Sequence, residues 1–336
     1  MGATIDDEVR GHPHRALWLP YSHAAAAVAC ERTELVAVAD VIAEKAEAIK
    51  QRYSVPRAYT DYREMIERER PEIVCIATRP STHAEITIFA AEHGVRGIYC
   101  EKPLCCSMAE ADAMLAAVER HGVKCNYGTQ RRYMPLYRTM RELIDQGVLG
   151  QVQAVLAYFG AGAAQWTLTH ATDLLLFLAG DPEIEFVQGT AVCRDEDWDG
   201  NRLTVDPPIT SGYIRFANGV HGYLTAATGT EVEVCGTQGS LRTLNNGIAC
   251  QYRQAVAHRL REEAPFPPVP RVSGTLCGLR DLAEALDTGR ETKGPLWLAC
   301  RSQEMILGIV ESHRQGGVRV PLPLADRTLS VARPDY

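Results

Sequence analysis

Between Ser22 and about Leu149 the chain alternates short apolar runs with amphipathic stretches. ELVAVAD (34–40), EIVCIAT (72–78), GIYC (97–100) and KCNYG (124–128) are of strand length, whereas AEKAEAIKQRY (43–53), DYREMIERER (61–70), THAEITIFAAEHG (82–94) and SMAEADAMLAAVERHG (107–122) read as helices. Strand and helix taking turns implies parallel crossovers, so this half predicts an α/β, doubly wound parallel sheet with helices on both faces. Helix punctuation agrees: Ser107 and Glu110 have the S-x-x-E spacing of a capping box, and Gly94 and Gly122 stand where helices stop. After MPLYRTMRELIDQGVLG (134–150) the pattern changes. QVQAVLAYF, EIEFVQGTAV, GYIRFA, VHGYLTAA and EVEVCG are successive β-type runs with turns such as ANG, TQG and NNG, which predicts a mostly antiparallel sheet. One helix, LTHATDLLLFLAG (168–180), interrupts it early, and two more, at 276–289 and 296–317, close an α+β domain. The expected division is residues 1–149 and 150–336.

A chain of 336 residues suits two domains, each with its own core. The net charge of −7, with no basic run, argues against a nucleic-acid surface and against attraction to anionic membranes. A small molecule is the expected partner. No apolar run approaches ~18 residues and no signal-peptide pattern opens the chain. The 11 cysteines, odd in number and without C-x-x-C, read as reduced thiols of a cytoplasmic protein. Adjacent Cys105 and Cys106 have no His or acid at ligand spacing, so no metal site is expected. The polar loop CRDEDWDGNRLTVDPP (193–208) is long enough to cover a cleft.

In an open α/β sheet, ligands gather at the carboxyl ends of the strands. Those ends carry Asp40, then Thr78, Arg79 and Pro80 with His83, then Glu101, Lys102 and Pro103, then Gln130, Arg131 and Arg132. Asp40 is placed to accept from a ribose hydroxyl, which favours NAD over NADP, or to cap the helix that follows. A lone lysine is usually a solvated surface residue. Lys102, however, follows a buried strand and precedes a proline that fixes the turn, so it is aimed at the crevice and suited to acid–base work. On the 168–180 helix, His170 and Asp173 lie three apart on one face, so His170 can project into an interdomain cleft with Asp173 orienting it. Taken alone, His170 fits a satisfied core histidine better.

IATRPSTHAEI, YCEKPL, the NYGTQRRY run and THATDLLLFLAGD together resemble the glucose-fructose oxidoreductase, inositol dehydrogenase and rhizopine-catabolism group, the Gfo/Idh/MocA family. The resemblance runs from about Ser22 to the end. It implies a Rossmann domain that binds a dinucleotide, an open-faced antiparallel sheet domain, and oxidation or reduction of sugars, cyclitols and related polyols. It also implies that Glu101, Lys102 and Pro103 fill the E-K-P motif, that His170 is the catalytic histidine, and that the protein is a homodimer or homotetramer. One departure is Trp166, which stands four residues before His170 where many such dehydrogenases have an Asp. The expected cofactor contacts are Gly2, Asp40, Thr78, Arg79, His83, Glu101, Lys102 and Gln130. The expected substrate contacts are Arg131, Trp166, His170 and Asp173, with Lys102 and His170 as the acid–base pair.

The other departure is the opening stretch, because no G-x-G-x-x-G occurs in the chain. In one reading RALWL (15–19) replaces the first strand and leaves no glycine backbone for phosphate. In the other, Gly2 is the third glycine of the fingerprint, a helix opens at Ala3, and the first strand lies upstream of Met1. The second is preferred, since a missing central strand leaves its neighbours without backbone partners. The leading expectation is an NAD-dependent dehydrogenase. Its alternatives are a lyase, hydratase or epimerase that has lost ordinary dinucleotide binding, and a ligand-sensing protein without turnover.

Overall fold

The structure is a computed structural model that describes residues 5–258 and 260–333. Contacts divide the chain into two compact units, and neither is contiguous in sequence. The first comprises Met1–Cys105, Glu110–Tyr133 and Arg271–Trp297, and the second comprises Cys106–Ala109, Met134–Pro270 and Leu298–Tyr336. Where the sequence pattern suggests one boundary at 149/150, the first unit hands over near Tyr133 and regains a helical segment much later.

The first unit runs α1 (Ile5–Arg10), α2 (His23–Ala29), β1 (Ala37–Ala39), α3 (Ala43–Tyr53), β2 (Arg57–Tyr59), α4 (Tyr62–Glu69), β3 (Ile73–Ile76), α5 (Pro80–Glu92), β4 (Gly97–Cys100), most of α6 (Met108–His121) and β5 (Lys124–Tyr127). Every strand pairing here is parallel, as the alternation predicts. Ser22 caps α2 by accepting from the Ala25 N–H, Pro80 occupies the first turn of α5, and Gly94 and Gly122 take left-handed φ just past α5 and α6. All four residues of β4 are buried, as a strand with a parallel neighbour on each side requires.

The parallel strands form two sheets, β1-β2 and β3-β4-β5. In the doubly wound order 3-2-1-4-5-6 the first strand lies between the second and the fourth, and among the described residues no strand joins β1 to β3. RALWL does not supply it. Arg15–Leu17 is a single 3-10 turn, and Pro20 closes the run with a cis peptide after Leu19. β1 is accordingly shorter than the 34–40 run and only half-buried, since one of its edges has no ladder partner among the described residues.

The segment that returns to this unit carries α9 (Gly274–Thr288). Leu276, Leu279 and Leu282, spaced along one face, pack with Ala26, Ala27 and Cys30 of α2 and with Tyr99 of β4. The approach is close: a Cβ on Gly278 would lie 2.6 Å from the Tyr99 hydroxyl. Asp281, buried on α9, accepts from the Asn126 amide at 3.0 Å and the Lys293 N–H at 2.8 Å, and pairs with Arg290. The charge is thereby compensated where it is desolvated.

The second unit is built on a nine-stranded sheet. Its order is Leu260–Ala264, Ala249–Ala257, Gly239–Leu244, Glu231–Gly236, β6 (Val152–Tyr158), His221–Thr225, Ile209–Phe216, β7 (Ile184–Ala191) and Val320–Pro321. Only the pairing of β6 with His221–Thr225 is parallel, so the sheet is large, open and mostly antiparallel as expected. α7 (Pro135–Asp145), α8 (Thr169–Ala179) and most of α10 (Leu296–Arg314) belong to this unit. Among the described residues no helix is long and apolar enough to cross a membrane, and no group of three His, Cys, Asp or Glu residues could hold a metal. None of the eleven cysteines is in a disulfide.

Candidate functional site

The E-K-P turn follows β4 directly and is tied to its neighbours on both sides. The Glu101 N–H donates to Ile76 O at 2.8 Å, and the Gly128 N–H donates to Cys100 O at 2.7 Å. The Lys102–Pro103 peptide is cis. Lys102 is only 7% exposed. Gly128 is needed there: a Cβ would come within 2.8 Å of both the Glu101 Cα and its carboxylate.

Glu101 is fixed at both oxygens. One is 3.1 Å from His23 Nε2, and the other accepts the Lys102 N–H at 3.0 Å. The His23 ring stacks on Tyr99, with centroids 4.5 Å apart and planes 18° off parallel. Burial opposes protonation of His23, but its contacts with Cys75 and Glu101 outweigh that and hold it well above the ordinary histidine range. Burial likewise opposes ionisation of Glu101, and the bond and charge of His23, with the Lys102 charge and N–H, keep it below the usual carboxylate range. Both directions favour the ion pair at neutral pH. His23 adds stability that is lost as pH rises through its raised pKa, and Glu101 adds stability that is lost as pH falls through its lowered one.

The segment before α2 runs beside this turn. The Asp6 carboxylate on α1 accepts the Tyr21 N–H at 2.8 Å and the Ser22 N–H at 3.2 Å, and the Ser273 hydroxyl donates to Pro20 O. Burial first, and then the charge of Glu101, pushes the Tyr21 phenol up. Ile5, Tyr21, Ser22, His23, Ala77 and Glu101 line a small recess.

Among the residues expected at the cofactor, Thr78 and Arg79 are exposed at the start of α5, and the Thr82 hydroxyl lies 2.8 Å from that of Thr78. Asp40 stands one residue past β1, where one carboxylate oxygen accepts the Ile42 N–H at 2.9 Å. The bond shapes the turn before α3 and does not cap the helix, whose N-cap is Ile42 without a side-chain cap bond, and it leaves a second oxygen for a ribose. Gln130 is buried on the 3-10 turn Gln130–Tyr133, anchored because the Tyr133 hydroxyl bonds both the N–H and the carbonyl of Tyr127. Gly2 lies outside the described residues.

His83 is a correction. It is 0% exposed, and its Nδ1 faces Pro103 O at 3.0 Å and Leu104 O at 3.2 Å while Nε2 faces Thr78 O at 3.2 Å. Burial lowers its pKa. It braces α5 against the E-K-P turn and has no surface for a cofactor. Asp173 is a second correction: at 1% exposed it is a core residue of α8, so it does not touch substrate.

Arg131 is buried, with its guanidinium 5.8 Å from the centre of the Trp18 ring. In the second unit, Trp166 is 43% exposed and its N–H donates to Asp206 at 2.9 Å, which sets the turn before α8. Every residue of α8 is buried except His170. That is not the pattern of a core histidine, the reading its sequence alone favours. His23 and Tyr21 are absent from the sequence-derived set. The only signal for His23 is its place at the start of the helix that normally follows the phosphate turn.

Models of one oxidoreductase family match the chain twice, its NAD-binding Rossmann fold over residues 18–129 and its C-terminal alpha/beta domain over residues 157–322. The chain is 30% identical over 227 residues to scyllo-inositol 2-dehydrogenase (NAD(+)) of Bacillus subtilis, a match that takes in 62% of this chain. That match spans 65% of the relative's length, just under two thirds. The fold resembles an oxidoreductase domain protein from Kribbella flavida, with a TM-score of 0.77 and 22% identity over 90% of this chain and 95% of that one. It also resembles levoglucosan dehydrogenase in complex with NADH and levoglucosan, with a TM-score of 0.75 and 21% identity over 92% of this chain and 96% of that one.

Proposed function

The chain belongs to the Gfo/Idh/MocA oxidoreductase family, and from that premise we propose that it is an NAD-dependent oxidoreductase acting on a carbinol of a sugar-like or cyclitol-like polyol. The observation that carries the reading is Lys102, a lysine kept almost wholly out of water on a turn tied to three strand ends. A desolvated cation placed there has a use if a substrate oxygen meets it.

The residues present fit NAD at two places. Asp40 suits the adenosine ribose, and Thr78, Arg79 and Glu101–Lys102 suit the nicotinamide end; the pyrophosphate cradle is not assigned, since Gly2 is outside the described residues. NAD supplies the two-electron acceptor when bound. Lys102 holds the substrate oxygen, and His170 takes the hydroxyl proton as hydride leaves the same carbon. Trp166 offers an apolar face to the ring of the substrate. The relatives named for inositol and levoglucosan support the polyol class. A homodimer or homotetramer and a cytoplasmic location complete the proposal, the latter supported by the odd cysteine count without C-x-x-C.

A second reading, non-redox lyase, hydratase or epimerase chemistry, is favoured by the split parallel sheet and the absence of G-x-G-x-x-G. A cofactor titration separates them. The parent chain forms NADH on at least one of scyllo-inositol, myo-inositol and levoglucosan, and prefers NAD to NADP. Asp40→Ala weakens NAD about tenfold and relaxes the preference, as loss of a charge-assisted hydrogen bond requires. A residue that only shapes the turn before α3 would instead cost about 1 kcal/mol in the melt and leave the ratio unmoved.

A further inference from the structure

His23, which pairs with Glu101 beneath the E-K-P turn, has no part in the roles assigned above, and the pair is built at some cost. His23 is buried and Glu101 mostly so, and an ion pair largely out of water is poor evidence of a stability device, because apolar side chains of similar size often do as well. Its geometry is instead that of a relay to one backbone atom. His23 is the first residue of α2, whose start is fixed by the Ser22 cap and by the Asp6 carboxylate on the Tyr21 and Ser22 N–H groups. Its ring lies flat on Tyr99. We propose that His23 is a positioning residue for Lys102: its Nε2 fixes the Glu101 carboxylate, whose second oxygen accepts the Lys102 N–H, so the direction of the Lys102 side chain is set from helix α2.

Gly128 closes the other side. With no Cβ there, the carboxylate lies against the backbone just past β5. Removing the His23 donor leaves one Glu101 oxygen without its protein partner, and the carboxylate turns away from the Lys102 N–H to recover one. The inference rests on the catalytic reading of Lys102 only for its effect on turnover. Its effect on Lys102 itself is independent of any substrate.

The test is trace labelling of the full chain with acetic anhydride across a pH series, read by peptide mass spectrometry. His23→Ala changes the labelling rate of Lys102 by about threefold or more and displaces its apparent pKa, while exposed Lys45 labels as in the parent. His23→Gln, which can still donate to Glu101, restores the parent profile. In turnover, His23→Ala lowers kcat about tenfold with little change in KM, the mark of a misplaced group rather than a lost binding contact. If His23→Ala melts below the assay temperature, His23→Asn, too short to reach Glu101, must show the same labelling change. Parental labelling of Lys102 in both short variants overturns the proposal. So does a change that His23→Gln fails to restore. Should Lys102→Met leave turnover intact, the catalytic reading fails, and the labelling result still decides the role of His23.

Discussion

Lys102→Met lowers turnover by at least ~10²-fold while the chain stays folded, the usual worth of a positioned acid–base group. Methionine keeps most of the unbranched stem, so the packing of a side chain that is nearly buried changes little. What is lost is the charge. A surface lysine would give no such result, because its charge is screened and its stem contributes little. The Glu101 carboxylate feels the Lys102 charge and keeps its bond to His23, so the pair beneath the turn survives the change and the melt moves only slightly. Steady-state kinetics on a substrate that the parent oxidises, with a thermal melt on the same preparation, separates loss of chemistry from loss of fold. Near-parental kcat in a folded Lys102→Met chain removes the E-K-P lysine from the mechanism.

His170→Asn brings a loss of the same size, at least ~10²-fold, by a different route. α8 is buried along its whole length except at His170, so the helix is a rigid mount with one reachable polar side chain. Asparagine is smaller and polar and leaves the mount in place. It cannot take up a proton at neutral pH, which is the step the proposal gives to the imidazole. kcat therefore falls while NAD affinity, read by fluorescence titration, stays near the parental value. A large rise in KM with unchanged kcat would make His170 a binding residue instead.

The strand and helix alternation was legible because each crossover carries its own apolar period, and the E-K-P turn was legible because GIYC is apolar at every position and ends at a lysine and a proline. Long-range packing was not. LCGLRDLAEALDTG announces a helix, but nothing local says that its leucines pack with α2 and Tyr99, far earlier in the chain. RALWL has the composition of a strand and forms a 3-10 turn, because a strand is a property of its ladder partners as much as of its residues. His83 departs from its expected place for a related reason. Its position after β3 suggested a cleft, and only the folded chain places three carbonyls around its ring. His23 and Glu101 are 78 residues apart, so their pairing has no sequence signature.

The central claim is that a hydride leaves a carbinol carbon of a polyol for NAD. The most direct measurement uses myo-inositol or scyllo-inositol deuterated at its carbinol carbons, with NADH isolated after turnover and analysed by mass spectrometry. The account predicts one deuterium carried from carbon into each NADH formed, and no exchange of that deuterium with water. It also predicts that Lys102→Met and His170→Asn slow the transfer without changing its isotopic outcome. Deuterium lost to solvent with NAD left oxidised would contradict it and would mark proton abstraction, the chemistry of a lyase or epimerase.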